Sequence, residues 1–229
     1  MDFKNMRGLT LALTETFSKC VPLTELPPID GAPARYPKLL PFMRFEPRRY
    51  AAEGFGNVFT MYTRAMGGMM QLATLVFTPN AGGDAPLLLI DVMAMAKKRA
   101  AFVEYYDLTE SGARCPALEA LAAKHAHLPD YPEKDAWYVS RRAPFSLIKG
   151  GEDEGALLAM LEESVWAYAA ACAQCTSRSD KNLARLADFV DEMVEKGNPS
   201  SSVLEKALGK EGAQEYFRRA IMPACYTQE

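Results

Sequence analysis

Long hydrophobic runs are missing from this chain of 229 residues. A membrane-spanning helix needs about 18 or more apolar residues in succession, so the sequence predicts no membrane span. Charged and polar residues recur every few positions in residues 1–19, and we therefore expect no secretory signal there. Basic residues are also scarce, with 26 against 29 acidic residues, which argues against general binding to nucleic acid or to an anionic membrane surface.

Metal and redox motifs are equally sparse. The five cysteines are odd in number and lack the spacing of a secreted disulfide framework, so we expect a reducing, cytoplasmic location. Cys172 and Cys175 form a C-x-x-C inside a helical pattern, without the second pair that a zinc site needs, and we rank a metal or redox role last. His125 and His127 have no third ligand nearby, which favours a solvated helix end. Phosphate-binding glycine motifs are absent.

Apolar and β-branched segments predict a series of strands joined by short turns. They occupy residues 58–63, 70–78, 87–95 and 101–108, with further short strands expected at 137–140 and 145–149. Seven prolines within residues 20–50 instead predict an extended segment that covers the core.

Helical periodicity follows the strands. It predicts long helices over 154–175, 179–197 and 201–221, and a shorter one over 118–125. Strands joined by short turns and then a block of helices indicate an α+β fold with an antiparallel sheet. We expect a single domain over 1–229, with a covering segment at 1–50, the sheet mainly at 55–149 and the helices mainly at 150–222.

Asp91 is the residue that the apolar pattern does not explain. It interrupts the strand sequence LLLIDVM, and burial of a carboxylate there costs several kcal/mol unless it is paired, protonated or facing a polar ligand. A structural hydrogen-bonded aspartate and a functional acid are equally compatible with this position.

The motifs around Asp91 resemble those of the ferredoxin-dependent bilin reductases. Residues 61–108 contain the Gly67-Gly68 turn, a strand that ends TLVFTP, the apolar strand with Asp91, and a strand that ends YYDL. Their order and spacing match that family.

The C-terminal part is similar to the same family. The sequence Ala-Pro-Phe at 143–145 stands where the family has Ser-Pro-Phe before a basic residue. Asn-Pro at 198–199, followed by VLEKALGKEGAQEYFRRAIMP, resembles its Asp-Pro and closing helix. The likeness covers residues 55–222.

The resemblance implies a three-layer α/β/α sandwich with a central antiparallel sheet that encloses a linear tetrapyrrole such as biliverdin. It implies no tightly bound cofactor and no metal, because single electrons come from reduced ferredoxin or flavodoxin. Asp91 falls on the family's central aspartate, the favoured proton donor to bilin radicals. We expect a monomer.

Three departures from the family's pattern concern acidic groups. Thr74 stands 17 positions before Asp91, where the phycocyanobilin-forming branch has a histidine, and Tyr62 occupies the place of a glutamate. Asn198 replaces the aspartate of the Asp-Pro pair and has no acidic proton. A two-electron step that relies on Asp91 alone is compatible with these changes.

Supporting groups follow from the same resemblance. Lys149 stands where the family has a basic residue near a bilin propionate, and Arg141 and Arg142 are alternatives. A basic rim would steer acidic ferredoxin, with six candidates: Arg44, Arg48, Arg49, Lys97, Lys98 and Arg99.

Three hypotheses follow. The first is a ferredoxin-dependent bilin reductase with Asp91 and Asn198 at the reacting centre and Tyr62, Thr74, Lys149 and Arg141 against the substrate. The second is a non-catalytic tetrapyrrole carrier, or a reductase of a chlorophyll or haem breakdown product. The third is a redox or metal protein based on the C-x-x-C.

Overall fold

One antiparallel sheet is the centre of the protein. The computed structural model describes residues 2–37, 42–80, 83–110, 115–133, 135–174, 179–198 and 201–223. In these residues the sheet has eight strands in the order β1-β3-β4-β5-β6-β7-β8, and β2 pairs with β3. The strands are β1 Leu23–Leu26, β2 Arg35–Tyr36, β3 Met43–Ala52, β4 Gly56–Ala65, β5 Met70–Thr78, β6 Leu87–Met95, β7 Lys98–Tyr106 and β8 Leu147–Gly150.

The four central strands are the predicted ones; short turns connect β4 to β5 and β6 to β7, and residues 79–86 connect β5 to β6. Gly67 and Gly68 between β4 and β5 have φ angles of 67° and 103°, which only glycine adopts without strain. Neighbouring strands in sequence therefore pair as neighbours in the sheet, as the pattern of short turns predicted.

Helices cover both faces of the sheet. They are α1 Met6–Ser18, α2 Pro116–Lys124, α3 Glu154–Cys172, α4 Asp180–Glu195, α5 Ser201–Leu208 and α6 Lys210–Tyr216, which continues as a π-helical turn over Phe217–Ile221. The side chains of Asn5, Asp153 and Ser179 cap the N-termini of α1, α3 and α4. Among the helices in the described ranges, none is both long and apolar enough to cross a membrane.

Two hydrophobic cores result from this arrangement. One joins α1, α2 and α3 to the sheet through side chains such as Phe17, Ile90 and Tyr168. The other joins α4, α5 and α6 to the opposite face through side chains such as Tyr106 and Phe189. The protein is therefore an α+β sandwich of three layers, with the sheet in the middle, and the predicted fold class is confirmed.

Several predicted segments were wrong. The proline-rich segment 20–50 contributes β1, β2 and most of β3 to the sheet. Pro47 fits within β3 because β1 pairs with β3 from Arg49 onwards and β2 only with Met43 and Arg44, so no partner strand on that side needs a donor from Pro47.

Two further corrections concern the helices and a short strand. Residues 137–140 belong to a 3₁₀ turn, Trp137–Arg141, and not to a strand. The helix expected over 201–221 is broken at Gly209, whose φ of 78° ends α5 and begins α6. The sequence interpretation did not predict α1.

Candidate functional site

A cleft of about 550 Å³ lies against the face of the sheet that α4, α5 and α6 cover. Its floor is formed by β3 to β7, and its rim by residues 131–133, residues 136–142 and α5. The walls are mainly apolar and include four flexible methionines: Met43, Met61, Met70 and Met93. A volume in this range suits a small organic ligand, for which pockets measure roughly 300–1,000 Å³.

Successive side chains of strand β6 point alternately toward the core and toward the cleft. Ile90 and Val92 are fully buried on the face toward α1 and α3, whereas Leu89, Asp91 and Met93 are only partly buried on the other face and line the cleft or its extension. The apolar run LLLIDVM therefore places one carboxyl at the floor of an apolar cleft.

Asp91 has a single close hydrogen-bond partner in the described part of the site. Thr74, directly opposite on β5, donates its hydroxyl to Asp91 Oδ1 at 2.5 Å. Burial raises the pKa of Asp91 to about 6, and the hydrogen bond from Thr74 opposes this rise. Asp91 consequently holds or releases a proton close to neutral pH.

A second carboxyl, Glu104, lines the same cleft and was missed by the sequence interpretation. Phe102 stands opposite Asp91 on β7, and Glu104 follows two residues later on the same face. Its two oxygens accept hydrogen bonds from Arg142 Nη2 at 2.6 Å and from the Tyr106 hydroxyl at 2.5 Å. Strand alternation in AFVEYY, set in register with Asp91, was the available signal.

Arg142 joins Glu104 to the rim of the cleft. Its guanidinium also donates to both carboxylate oxygens of Glu133, at 2.7 and 2.8 Å. Burial raises the pKa of Glu104 to about 7, with Asp91 adding to the rise and with Arg142 and Tyr106 opposing it. Arg142 is itself buried, and these ion pairs raise its pKa.

A narrow extension of about 20 Å³ continues from the cleft between the sheet and α4 with the π-helical turn that follows α6. Asp91, Glu104, Tyr106 and Asn198 all line it. This volume is sufficient for about one water molecule with polar neighbours.

Thr74 and Asn198 are the predicted residues that the structure brings to Asp91. Asn198 follows α4, and its side-chain amide donates to the Met193 carbonyl at 3.2 Å. Trp137 holds the same turn by donating to the Gly197 carbonyl at 2.8 Å. These contacts fix the end of α4 over the sheet.

Tyr62 is not brought to the cleft. The register places Met61, one residue earlier, opposite Thr74, and Met61 is the residue that lines the cleft. Tyr62 therefore lies on the opposite face of β4, where its hydroxyl donates to Gln71 Oε1 at 3.0 Å. A one-residue difference in register moves a side chain to the other face of a sheet.

Lys149 and Arg141 also lie outside the cleft. Lys149 is on the other face of β8, and its ammonium donates to the Leu128 carbonyl at 3.0 Å and to Asp130 at 2.6 Å. Arg141 is exposed and forms an ion pair with Glu192 at 3.3 Å. The basic side chain that does line the cleft is that of Arg142, which was the other alternative to Lys149.

One cysteine of the C-x-x-C lies within the described residues. Cys172 is buried in the core between α3 and the sheet, and Cys175 lies outside the described residues. Within the described ranges, no three His, Cys, Asp or Glu side chains converge as a metal site requires.

Comparisons with known proteins give a result for the fold only. Neither the models of protein families nor the curated proteins include a match to this sequence. Among solved structures, the crystal structure of phytochromobilin synthase from tomato in complex with biliverdin matches with a TM-score of 0.75 and 13% identity. The match covers 93% of this chain and 81% of that one. The chain has the fold of phytochromobilin synthase. The architecture implied by the sequence resemblance is therefore confirmed.

Proposed function

We propose that this protein binds a linear tetrapyrrole such as biliverdin in the cleft and reduces it with single electrons from ferredoxin or flavodoxin. The observation that carries the proposal is Asp91, an acid with a pKa raised to about 6 at the floor of an apolar cleft. Support comes from the shared fold with a protein that was crystallised with biliverdin.

Asp91 would supply a proton to the reduced ligand. A general acid works best when its pKa lies near the working pH, and such a group is typically worth about 10² to 10⁴ in rate. Once electrons enter a conjugated tetrapyrrole, the added negative charge makes its carbon and nitrogen atoms more basic. An acid held against that ligand then completes each reduction step by protonation.

Arg142 is our candidate for the propionate partner that the sequence assigned to Lys149 or Arg141. It lines the cleft and is already held by two carboxylates, Glu104 and Glu133. A ligand carboxylate could replace Glu133, which is the more exposed of the two, without leaving the guanidinium unpaired.

The electron donor requires a docking surface, and one end of the sheet provides a suitable one. Arg35, Arg44 and Arg64 face each other in a row across β2, β3 and β4. Like charges that stand directly opposite destabilise a sheet unless something compensates them. Lys97, in the turn between β6 and β7, and Lys98, the first residue of β7, lie at the same end.

Exposed apolar side chains accompany these cations. Phe42, Met66 and Met69 are 54%, 41% and 63% exposed, and backbone hydrogen bonds link residues 42, 66, 69 and 96 at this end. We name this surface the basic end: Arg35, Arg44, Arg64, Lys97 and Lys98 around Phe42, Met66 and Met69. An apolar centre with a cationic rim fits an acidic protein such as ferredoxin.

Three other candidates from the sequence contribute less to such docking. Arg48 forms an ion pair with Glu25 at 3.6 Å and Arg99 one with Glu154 at 2.7 Å. Arg49 is half-buried and donates to the Pro27 carbonyl. The arginine row lies on the sheet face opposite the cleft, but Met43, Met70 and Met93, which line the cleft, lie near the same end of their strands, so a donor at the basic end would approach the ligand's edge around the end of the sheet.

A tetrapyrrole carrier without catalysis is the second candidate. Thr74 and Asn198 line the cleft or its extension. At these positions, members of the bilin reductase family that the sequence resembles have titratable groups, whereas neither Thr74 nor Asn198 supplies an acidic proton. A carrier would retain binding while lacking turnover.

Titration with biliverdin followed by reduction separates these functions. We expect biliverdin to bind with a shifted visible spectrum, and reduced ferredoxin to convert it into a product with shorter conjugation. Binding without conversion would support the carrier. If the visible spectrum does not change on titration with biliverdin, haem or chlorophyll breakdown products, both the reductase and the carrier function are refuted.

A further inference from the structure

Among the residues that the structure describes, the carboxyl groups that line the cleft outnumber the cations. Asp91, Glu104 and Glu133 line it together with one guanidinium, that of Arg142. If all three carboxyls were ionised, a net charge of about −2 would remain in a largely apolar cleft, which low polarity strongly disfavours. Charge balance among these described groups is reached when two of the three carboxyls hold a proton; Asp91 holds one, and the second lies on Glu104 or Glu133.

Glu104 is better placed than Glu133 to hold that proton. The Glu104 side chain is only 8% exposed, against 26% for Glu133, and burial penalises the charged form. Glu104 also stands diagonal to Asp91 across β6 and β7, a relation that places side chains about 7 Å apart.

The titratable and charged groups that face Glu104 come from three parts of the structure. They are Asp91 on β6, Tyr106 on β7, and Tyr138, Glu133 and Arg142 in the rim segment. The described residues of α4 and of the π-helical turn that line the extension here, Met193, Phe217 and Ile221, carry no charge. The balance among these groups sets the charge of Glu104.

The proposed reduction requires two protons. Saturation of one double bond consumes two electrons, delivered singly by an iron–sulfur or flavin donor, and two protons that form two new bonds to hydrogen. Asp91 supplies one proton and becomes a carboxylate. The positions expected to supply another in the resembled family, Thr74 and Asn198, have no acidic proton.

We propose that Glu104 is the second proton-supplying group of the cleft. This inference rests on the proposed function. Glu104 gives its proton to the ligand after the second electron arrives, and the resulting carboxylate is stabilised by Arg142 and Tyr106, which already donate to its two oxygens. Both carboxyls are then protonated again from solvent through the open cleft.

Single turnover of the biliverdin-loaded protein with reduced ferredoxin tests this role. In Glu104→Gln we expect loss of biliverdin absorbance at the wild-type rate, followed by product formation that is at least about 10²-fold slower. Glu104→Asp, which keeps an acid at this position, should recover most of the rate. Glu215→Gln is the matched control, because Glu215 is exposed and pairs only with Arg219 among the described residues.

The pH dependence separates a proton-supplying role from a structural one. Product formation in the wild type should fall as the pH rises through about 6, where Asp91 loses its proton, and further through about 7, where Glu104 loses its own; Glu104→Gln should lack the second fall. Product formation by folded Glu104→Gln at the wild-type rate, with an unchanged pH profile, would overturn the proposal.

A ligand-free measurement keeps the test independent of the proposed function. Carboxyl ¹³C NMR of the protein without ligand should show Glu104, assigned with Glu104→Gln, titrating well above the usual range of a glutamate. Titration near pH 4 would exclude Glu104 even if biliverdin is reduced. Absence of biliverdin binding with a raised titration would instead refute the proposed function alone.

Discussion

Thr74 on β5 and Asp91 on β6 stand directly opposite each other, and the threonine hydroxyl donates to the aspartate carboxylate at 2.5 Å. Thr74 has no acidic proton of its own, but its hydrogen bond changes the pKa of Asp91. Thr74 stabilises the ionised form of Asp91, whereas burial stabilises the protonated form.

Thr74→Val should raise the pKa of Asp91 further. The variant keeps the shape of the side chain but removes the donor, and a hydrogen bond to a charged group is worth about 1.5–3 kcal/mol, or one to two pH units. Carboxyl ¹³C NMR measures the shift directly. Thr60→Val on β4, whose side chain does not line the cleft, is the control. An unchanged or lowered pKa in Thr74→Val would show that Thr74 does not stabilise the carboxylate.

Asp91→Asn should stabilise the folded protein above about pH 6. The pKa of Asp91 is raised from 3.8 to about 6, so between these values the folded state retains a proton that the unfolded state has lost. Stability from this group is therefore complete at low pH and is lost as the pH rises toward about 6. Removing the charge should recover about 1–3 kcal/mol, which corresponds to roughly 5 °C in melting temperature.

Melting curves between pH 4 and pH 8 check the sign of this effect. The difference between Asp91→Asn and the wild type should be small at pH 4 and should grow up to about pH 7. The exposed Asp191→Asn is the matched control, since Asp191 pairs with Arg218 on the surface. A variant that is less stable than the wild type at pH 8 would indicate a structural hydrogen-bonding role for Asp91.

Reversing two charges at the basic end should weaken docking of an acidic donor. Arg44→Glu with Arg64→Glu removes two of the three arginines of the row, and we expect KM for ferredoxin to rise about tenfold or more at low salt. Biliverdin affinity should stay unchanged, because neither side chain lines the cleft. The salt dependence of turnover should also become shallower.

Lys181→Glu is a suitable control for the charge reversal. Lys181 is exposed on α4 and pairs with Glu110, away from the basic end. Equal losses in both variants would mean that net charge alone determines the association rate.

The sheet was largely predictable because its signals are local. Alternation and short turns between residues 56 and 106 specify four paired strands without long-range information. Strand β3 was hidden because Pro47 lowers its strand propensity, and this proline is tolerated only where β1 and β2 leave a gap beside it. That gap is a tertiary feature.

The candidate site was predictable in part. Asp91 was identifiable because a carboxyl inside an apolar run is costly. Tyr62 was misplaced because counting along the chain cannot fix cross-strand register, which brings Met61 opposite Thr74. Glu104 can be predicted as a cleft residue only when the register of β7 against β6 is known, because that register places it on the same sheet face as Asp91. Its hydrogen bond with Arg142 spans 38 residues of sequence.

Single-turnover reduction of biliverdin bound to Asp91→Asn tests the central claim most directly. Asparagine preserves the volume and hydrogen-bonding reach of the side chain but has no acidic proton. We predict biliverdin binding close to that of the wild type, acceptance of the first electron, and a radical that persists because its protonation is slowed about 10² to 10⁴-fold. Product formation at the wild-type rate by folded Asp91→Asn would contradict the account and remove Asp91 from the reaction.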